Sequence, residues 1–333
     1  MQTKPSRRKG ASIMEKYSIF LVLVVMFIIC SLLNKNFLSA GNLTNIARQL
    51  AVGTILAYGA MLLIISGMID LSAGSVLALA GVLSVSFYKA TGSLVGSMLI
   101  GVLVGVVCNL VNALMVTNFS LPPFIATLAM QTIARGIALL YTKGQNILQL
   151  GDFIVFGQGE VFGVPTPIIF LVIATVVIWY ILRHTRFGRS LYAIGGNEEA
   201  AVASGINVIL QKYKAFIVNG ILVGVAGVLF MSRVNAGLPN GAIGYEMEGL
   251  TAAIVGGTSF SGGVGTTVGT LAGSFIIGCL NNIMNLTGVD SYVQQITKGA
   301  IIALAVIYDI KSKNRKTRKV ILVEEAGTEK TKG

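Results

Sequence analysis

From Tyr17 to Ile310 the chain is a succession of apolar runs, most of them long enough to cross a bilayer, separated by short polar or glycine-containing segments. A helix needs about 20 apolar residues to span the hydrocarbon core, since it rises about 1.5 Å per residue and no water is there to satisfy an open backbone. The runs lie at 17–33, 46–66, 71–88, 94–115, 123–141, 166–183, 213–232, 249–262, 264–285 and 293–310. Only 11% of the 333 residues are charged and the mean hydropathy is +0.80, whereas soluble domains carry about 25% charged residues. The sequence therefore predicts an all-α, polytopic helical membrane protein of about ten transmembrane helices, some broken or re-entrant. No polar stretch is long enough for a separate soluble domain.

The remaining charge is gathered into three places. Of the 25 Lys and Arg, five (Lys4, Arg7, Arg8, Lys9 and Lys16) precede the first run, five (Arg183, Arg186, Arg189, Lys212 and Lys214) lie in the segment 183–214, and eight follow Ile310. Lys and Arg collect on the cytoplasmic side of membrane helices. Six runs before the central segment and four after it put the tail 1–16, the loop 183–214 and the tail 311–333 on that side, flanking a permease-like domain at 17–310. This parity requires the short, glycine-rich run 249–262 to cross, although its composition also suits a re-entrant segment. The first run lacks a small-residue cleavage site and reads as a retained anchor. The net charge of +12 is explained by orientation against membrane lipid, not by nucleic acid, since no basic patch with interleaved aromatics exists. Cys30, Cys108 and Cys279 are odd in number and lie in apolar runs, so they read as packing residues. His184, alone at a span end, reads as interfacial, and no metal or cofactor is implied.

Two interruptions stand out within the runs. Asp70 is the only charge between Leu50 and Tyr88, a stretch too long for one span, so the chain must break near Gly67. Asp70 or Ser72 then caps the following helix, or the break, with Gly74 and Ser75, lines a solute path; the two roles are compatible. The second interruption is Gly256-Gly257-Thr258-Ser259-Phe260-Ser261-Gly262-Gly263, where glycines and hydroxyls suspend the apolar pattern, and a weak internal repeat with the first break is conceivable. The chain contains no GxxxxGK[ST] phosphate loop. Gly101 with Gly105, Gly220 with Gly224 and Gly269 with Gly273 have the four-residue spacing that lets helices approach closely. Asn109 and Asn112, Gln131 and Arg135, and Asn281, Asn282 and Asn285 are polar residues inside spans, set to bond neighbouring helices or to line a passage for a hydroxyl-rich solute.

In the central loop, Gly195, Gly196 and Asn197 predict a turn with Asn197 as N-cap. Glu198 and Glu199 fall in the first turn of a short surface helix through Ala200 and Ala201, ended at Gly205, with a small alanine face open to a partner's groove. Glu199-Ala200-Ala201, three residues and then Gly205 resembles the EAA-x3-G loop by which importer permeases dock on their ATPase subunits. The Ile-x-Leu-Pro continuation of that pattern is missing at Ile209-Leu210-Gln211-Lys212. Together with Gly67-Met68-Ile69-Asp70-Leu71-Ser72-Ala73-Gly74-Ser75, Gly256-Gly257-Thr258-Ser259 and Leu280-Asn281-Asn282, it is similar in order and spacing to the ribose-type monosaccharide permeases of ATP-binding cassette (ABC) importers. The similarity runs from about residue 17 to 310. Met68 and Ala73 depart from that pattern, which usually has a small residue and a valine there.

The resemblance implies a multi-pass subunit of the cytoplasmic membrane with both termini inside, paired as a homodimer or heterodimer of permeases. An ABC ATPase subunit would dock inside and an extracytoplasmic sugar-binding protein outside, with no hydrolysis by the permease itself. Residues 195–201 and Gly205 would form the ATPase-coupling loop. Asp70, Ser72, Gly74, Ser75, Gly256, Gly257, Thr258, Ser261, Asn281 and Asn282 would belong to the path or its breaks. The rival classes are a proton-coupled secondary transporter with Asp70 as carrier, a branched amino-acid ABC permease, and a membrane-embedded enzyme, which the lack of a nucleophile and base pair disfavours.

Overall fold

The structure is a computed structural model that describes residues 9–329. Twelve α-helices make up nearly all of it: α1 Lys9–Leu33, α2 Ala40–Ile65, α3 Ala73–Thr91, α4 Leu94–Thr117, α5 Pro123–Thr142, α6 Thr166–His184, α7 Arg186–Gly196, α8 Glu198–Ala203, α9 Val208–Val234, α10 Tyr245–Val255, α11 Thr267–Leu286 and α12 Ser291–Glu329. Among the described residues, eight of these helices are long and apolar enough to cross a membrane, and α1 adds an apolar segment at Leu21–Leu33. Residues 1–8 of the basic amino tail and 330–333 of the carboxyl tail lie outside the described residues. The segment predicted as the tail after Ile310 continues α12 as helix to Glu329.

Helix starts follow local chemistry. Ser39, Ser93 and Thr266 accept hydrogen bonds from the N–H three residues on, and prolines stand at the first positions of α5 and α6, where a missing N–H costs least. In α2, α9 and α11, 78% of the apolar window is buried, against 28% in α4 and α5 and 22% in α6, so the first three form the centre of the bundle. Val95, Leu99, Leu103 and Val107, four apart down α4, are each at least 50% exposed, the surface of a helix solvated by lipid.

The bundle has two distinguishable ends. At one, α7 and α8 lie beside the start of α9 and the α4–α5 turn, where Tyr213 Oη donates to Asn118 Oδ1 at 2.8 Å. At the other, β1 (Ile147–Leu148) pairs antiparallel with β4 (Ala236–Gly237), and β2 (Glu160–Val161) with β3 (Val164–Pro165). There Lys89 Nζ donates to Leu148 O at 3.0 Å and Arg48 pairs with Glu160 at 3.1 Å.

Two expectations are corrected. The run 249–262 is helix only as far as Val255: α10 has 11 residues, about 16 Å at 1.5 Å per residue, too short to cross by itself, and the chain between β4 at one end and Gly263 against α7 at the other is helical over this part alone. The cause is the glycine-rich sequence after it, in which Gly257, Gly262 and Gly263 take left-handed φ. Gly195 and Gly196 likewise form the last residues of α7 rather than a turn, and the direction changes only at Asn197.

Helices α4 and α9 cross in backbone contact. A Cβ on Gly105 would collide with Gly220 O and stand 2.9 Å from Gly224 N, and one on Gly101 would lie 2.6 Å from both the Ser84 hydroxyl and a Val228 methyl. The glycine spacing read from the sequence thus marks a real contact. Gly105→Ala should force these helices apart and destabilise the protein by about 1–3 kcal/mol. Gly41→Ala, where nothing stands within 4 Å, should be neutral. Thermal unfolding of the two variants in detergent checks the difference.

Candidate functional site

The exposed end carries α7 and α8. Thr185 Oγ1 accepts from Gly188 N at 3.0 Å to start α7, and Asn197 Oδ1 accepts from Ala200 N at 2.9 Å to start α8. Glu198 is paired with Lys212 at 2.7 Å, while Glu199 is exposed and unpaired. The expected alanine face is oriented otherwise than foreseen. Ala201 is buried against Ile194, Val208 and Ile206, and it is Ala200, Val202 and Ala203 that face outward. Val202 is 57% exposed, and Ile209 and Leu210 at the start of α9 are exposed apolar residues as well. Gly205, in left-handed conformation at φ +80°, ends the segment.

This surface is tied to both chain breaks. Gly195 lies directly on Ile65 O and on Gly263 N, leaving no room for a Cβ. Gly263 N donates to Ile65 O at 2.8 Å, and Tyr192 Oη donates to Gly265 O at 2.8 Å. Burial raises the Tyr192 phenol above its ordinary value, so it stays protonated and a donor at physiological pH. The end of α2, the end of α7 and the glycine loop after α10 therefore meet at one point.

The first break is a closed polar knot. Asp70 Oδ1 accepts from Ser72 N at 2.7 Å and Ser72 Oγ at 2.5 Å, and its Oδ2 accepts from Asn219 Nδ2 at 2.7 Å. The same Asn219 amide donates to Asn109 Oδ1 at 2.8 Å, Asn112 Nδ2 donates to Ser72 Oγ at 3.0 Å, and Thr127 Oγ1 accepts from Leu71 N at 3.1 Å. Asp70 is only 3% exposed. Neither Asp70 nor Ser72 caps α3 through its side chain: their oxygens are used within the knot, so the carboxylate fastens three elements instead.

The remaining path candidates fall into separate places. Gly74 and Ser75 continue from the knot along α3, beneath Glu246 of α10. Gly256 packs on the start of α11, and Thr258 is buried with an unpartnered hydroxyl. Gly257 and the exposed Ser261 belong to the same loop, which Asp309 of α12 holds through Ser259 Oγ at 3.1 Å and Phe260 N at 3.0 Å. Asn281 Nδ2 donates to Glu248 Oε1 at 3.3 Å, and Glu248 is also paired with Lys298. These three line a cavity of about 430 Å3 between α10, α11 and α12. Asn282 instead exchanges reciprocal bonds with Asn42 at 2.8 and 3.0 Å, joining α11 to α2. Asn219, Glu246, Glu248 and Lys298 were not singled out from the sequence. Tyr245-Glu246-Met247-Glu248 reads as a polar loop until α10 is seen to begin there, and two acids in a first helical turn are the signal that marks it.

A family model described as "Branched-chain amino acid transport system / permease component" matches residues 42–306. The chain is 41% identical over 314 residues to the ribose import permease protein RbsC of Bacillus subtilis (strain 168), covering 93% of this chain and 98% of that one. It is 39% identical to RbsC of Escherichia coli (strain K12), with coverage of 93% and 98%. To the D-allose transport system permease protein AlsC of the same strain it is 36% identical, with coverage of 89% and 91%. No solved structure matches. With the model covering most of its length and relatives aligned almost end to end, the chain belongs to this family of multi-pass membrane permease components.

Proposed function

We propose that the chain is the permease subunit of an ABC importer that moves a ribose-type monosaccharide across the cytoplasmic membrane, driven by a separate ATPase subunit. The observation that carries this is near end-to-end similarity to ribose permeases, joined to a surface helix tied to both chain breaks. The sugar relatives favour a sugar over a branched amino acid, and the allose permease leaves the exact sugar open within that class.

Counting α1 and the broken segment that ends in α10, the chain crosses ten times, with both tails and α7–α8 in the cytoplasm. The reading is supported by the basic residues clustered in those segments. A second permease copy or close relative completes the passage, and a sugar-binding protein delivers solute to the end that carries β1 to β4. The ATPase docks on Glu199, Ala200, Val202 and Ala203. ATP binding moves α8 and, through Gly195 and Tyr192, displaces the glycine loop and the end of α2 together, which switches access to the path.

Glu199→Lys and Ala203→Trp should leave the chain correctly inserted yet abolish ATPase co-purification and uptake of labelled ribose together, whereas Ala201→Trp should instead unfold the α7–α8 corner. Full binding and full uptake in the first two variants would reduce α8 to an ordinary connector.

Asp70 acts here as a fastener and not as a proton carrier. Asp70→Asn keeps one acceptor oxygen for Ser72 and sets its NH2 against the Asn219 amide, which must turn to present its oxygen; the variant should retain most uptake. Asp70→Leu strands buried donors at about 1–3 kcal/mol each and should lower the thermal unfolding midpoint and the amount of assembled protein. Complete loss of transport in a well-assembled Asp70→Asn protein would instead favour proton coupling.

A further inference from the structure

Between α3, α5 and α10 lies an open cavity of about 410 Å3, bordered by Ser75, Gln131, Arg135, Leu139, Ile243 and Glu246. Its volume falls in the roughly 300–1,000 Å3 range of small-molecule sites. Gln131 and Arg135 are four apart and share one face of α5. Gly74 makes room for Glu246: a Cβ there would collide with Glu246 Oε2 and lie 2.6 Å from Ala242 O.

The polar groups around this cavity are incompletely satisfied. Glu246 is 7% exposed and its Oε2 has no hydrogen-bond partner. Its Oε1 takes one long bond, at 3.4 Å, from Gln131 Nε2. A buried carboxylate oxygen without a donor costs free energy that packing does not return. Arg135, by contrast, is already engaged, since its NH1 donates to Pro239 O at 2.6 Å and Gly241 O at 2.8 Å.

We infer that Glu246, Gln131, Arg135 and Ser75 form the seat that selects the solute within this chain, and that it takes a neutral, unphosphorylated polyhydroxyl ring. The inference rests on the sugar-importer function proposed above and names the residues that read the sugar. A ring hydroxyl can donate to Glu246 Oε1 in place of the weak Gln131 bond, freeing the Gln131 amide for a second hydroxyl. Ser75 and the remaining guanidinium N–H groups serve others. Leu139 and Ile243 offer an apolar wall to the C–H face of the ring. A phosphorylated sugar is repelled by Glu246.

The test compares uptake of labelled ribose, allose and L-arabinose by cells carrying the complete importer, with wild type, Glu246→Gln and Gln131→Leu. Losing one buried polar partner should lower uptake of the preferred sugar by about 10–100-fold. It should also change the ratio between sugars several-fold, with the amount of chain in the membrane and the co-purified ATPase unchanged. Should Glu246→Gln fail to reach the membrane, Glu246→Asp, which keeps the charge and withdraws it by one methylene, carries the same comparison. Unaltered uptake, or an equal fall for all three sugars, overturns the seat alone. A wild type that moves leucine and none of the sugars overturns the seat and the sugar-importer function together.

Discussion

Asn219 holds the centre of the molecule. Its amide nitrogen donates to Asp70 at 2.7 Å and to Asn109 at 2.8 Å, which joins α9 to α4 and to the break before α3. Its Oδ1 lies over Gly59 of α2, where a Cβ would collide with it. Such a junction exists because Gly101 and Gly105 meet Gly224 and Gly220 backbone to backbone, with Gly220 next to Asn219 and Gly105 one helix turn from Asn109. At membrane depth an unsatisfied polar group costs several kcal/mol, so the break at Gly67 is tolerated where Asp70, Ser72 and three asparagines supply one another with partners. The course of the chain at the first break depends on these few contacts.

The second break is organised differently. Between α10 and α11 Gly263 N donates to Ile65 O, Gly265 O accepts from Tyr192 Oη, and Asp309 accepts from Ser259 Oγ and Phe260 N. The loop also closes on itself, with Ser259 N donating to Val264 O and Gly262 N to Ser259 O, so it is a compact turn held from three sides by α2, α7 and α12. Gly195 of α7 touches it directly, backbone to backbone, and a Cβ there would collide with Ile65 O. The corner is thus a junction of backbone contacts, in contrast to the knot at Asp70, which is made of side chains.

Much of this was legible in the sequence because hydropathy, glycine spacing and N-caps act locally. The eight long helices, the break at Gly67, the close helix approach and the Asn197 cap all follow from residues within a few positions of one another. Three features were not legible. The run 249–262 registers as a span, but α10 starts earlier, at Tyr245, and ends at Val255, and its first turn, with Glu246 and Glu248, has the composition of a loop. Ala201 turns inward because α8 is only six residues long and its rotation is set by Ile194 and Val208, not by its own pattern. Asn219 sits in an apolar run as a lone amide, and its weight appears only when Asp70 and Asn109 arrive from distant parts of the chain.

The central claim is that ATP hydrolysis by a docked partner, and not an ion gradient, drives solute through this chain. It is tested most directly in sealed vesicles holding the chain with its ATPase and sugar-binding protein, by following labelled ribose as ATP and a pH gradient are supplied separately. Accumulation with ATP alone, absent without the ATPase and indifferent to the gradient, is the predicted result. Accumulation by the chain alone under an imposed pH gradient, with no response to ATP, would contradict it.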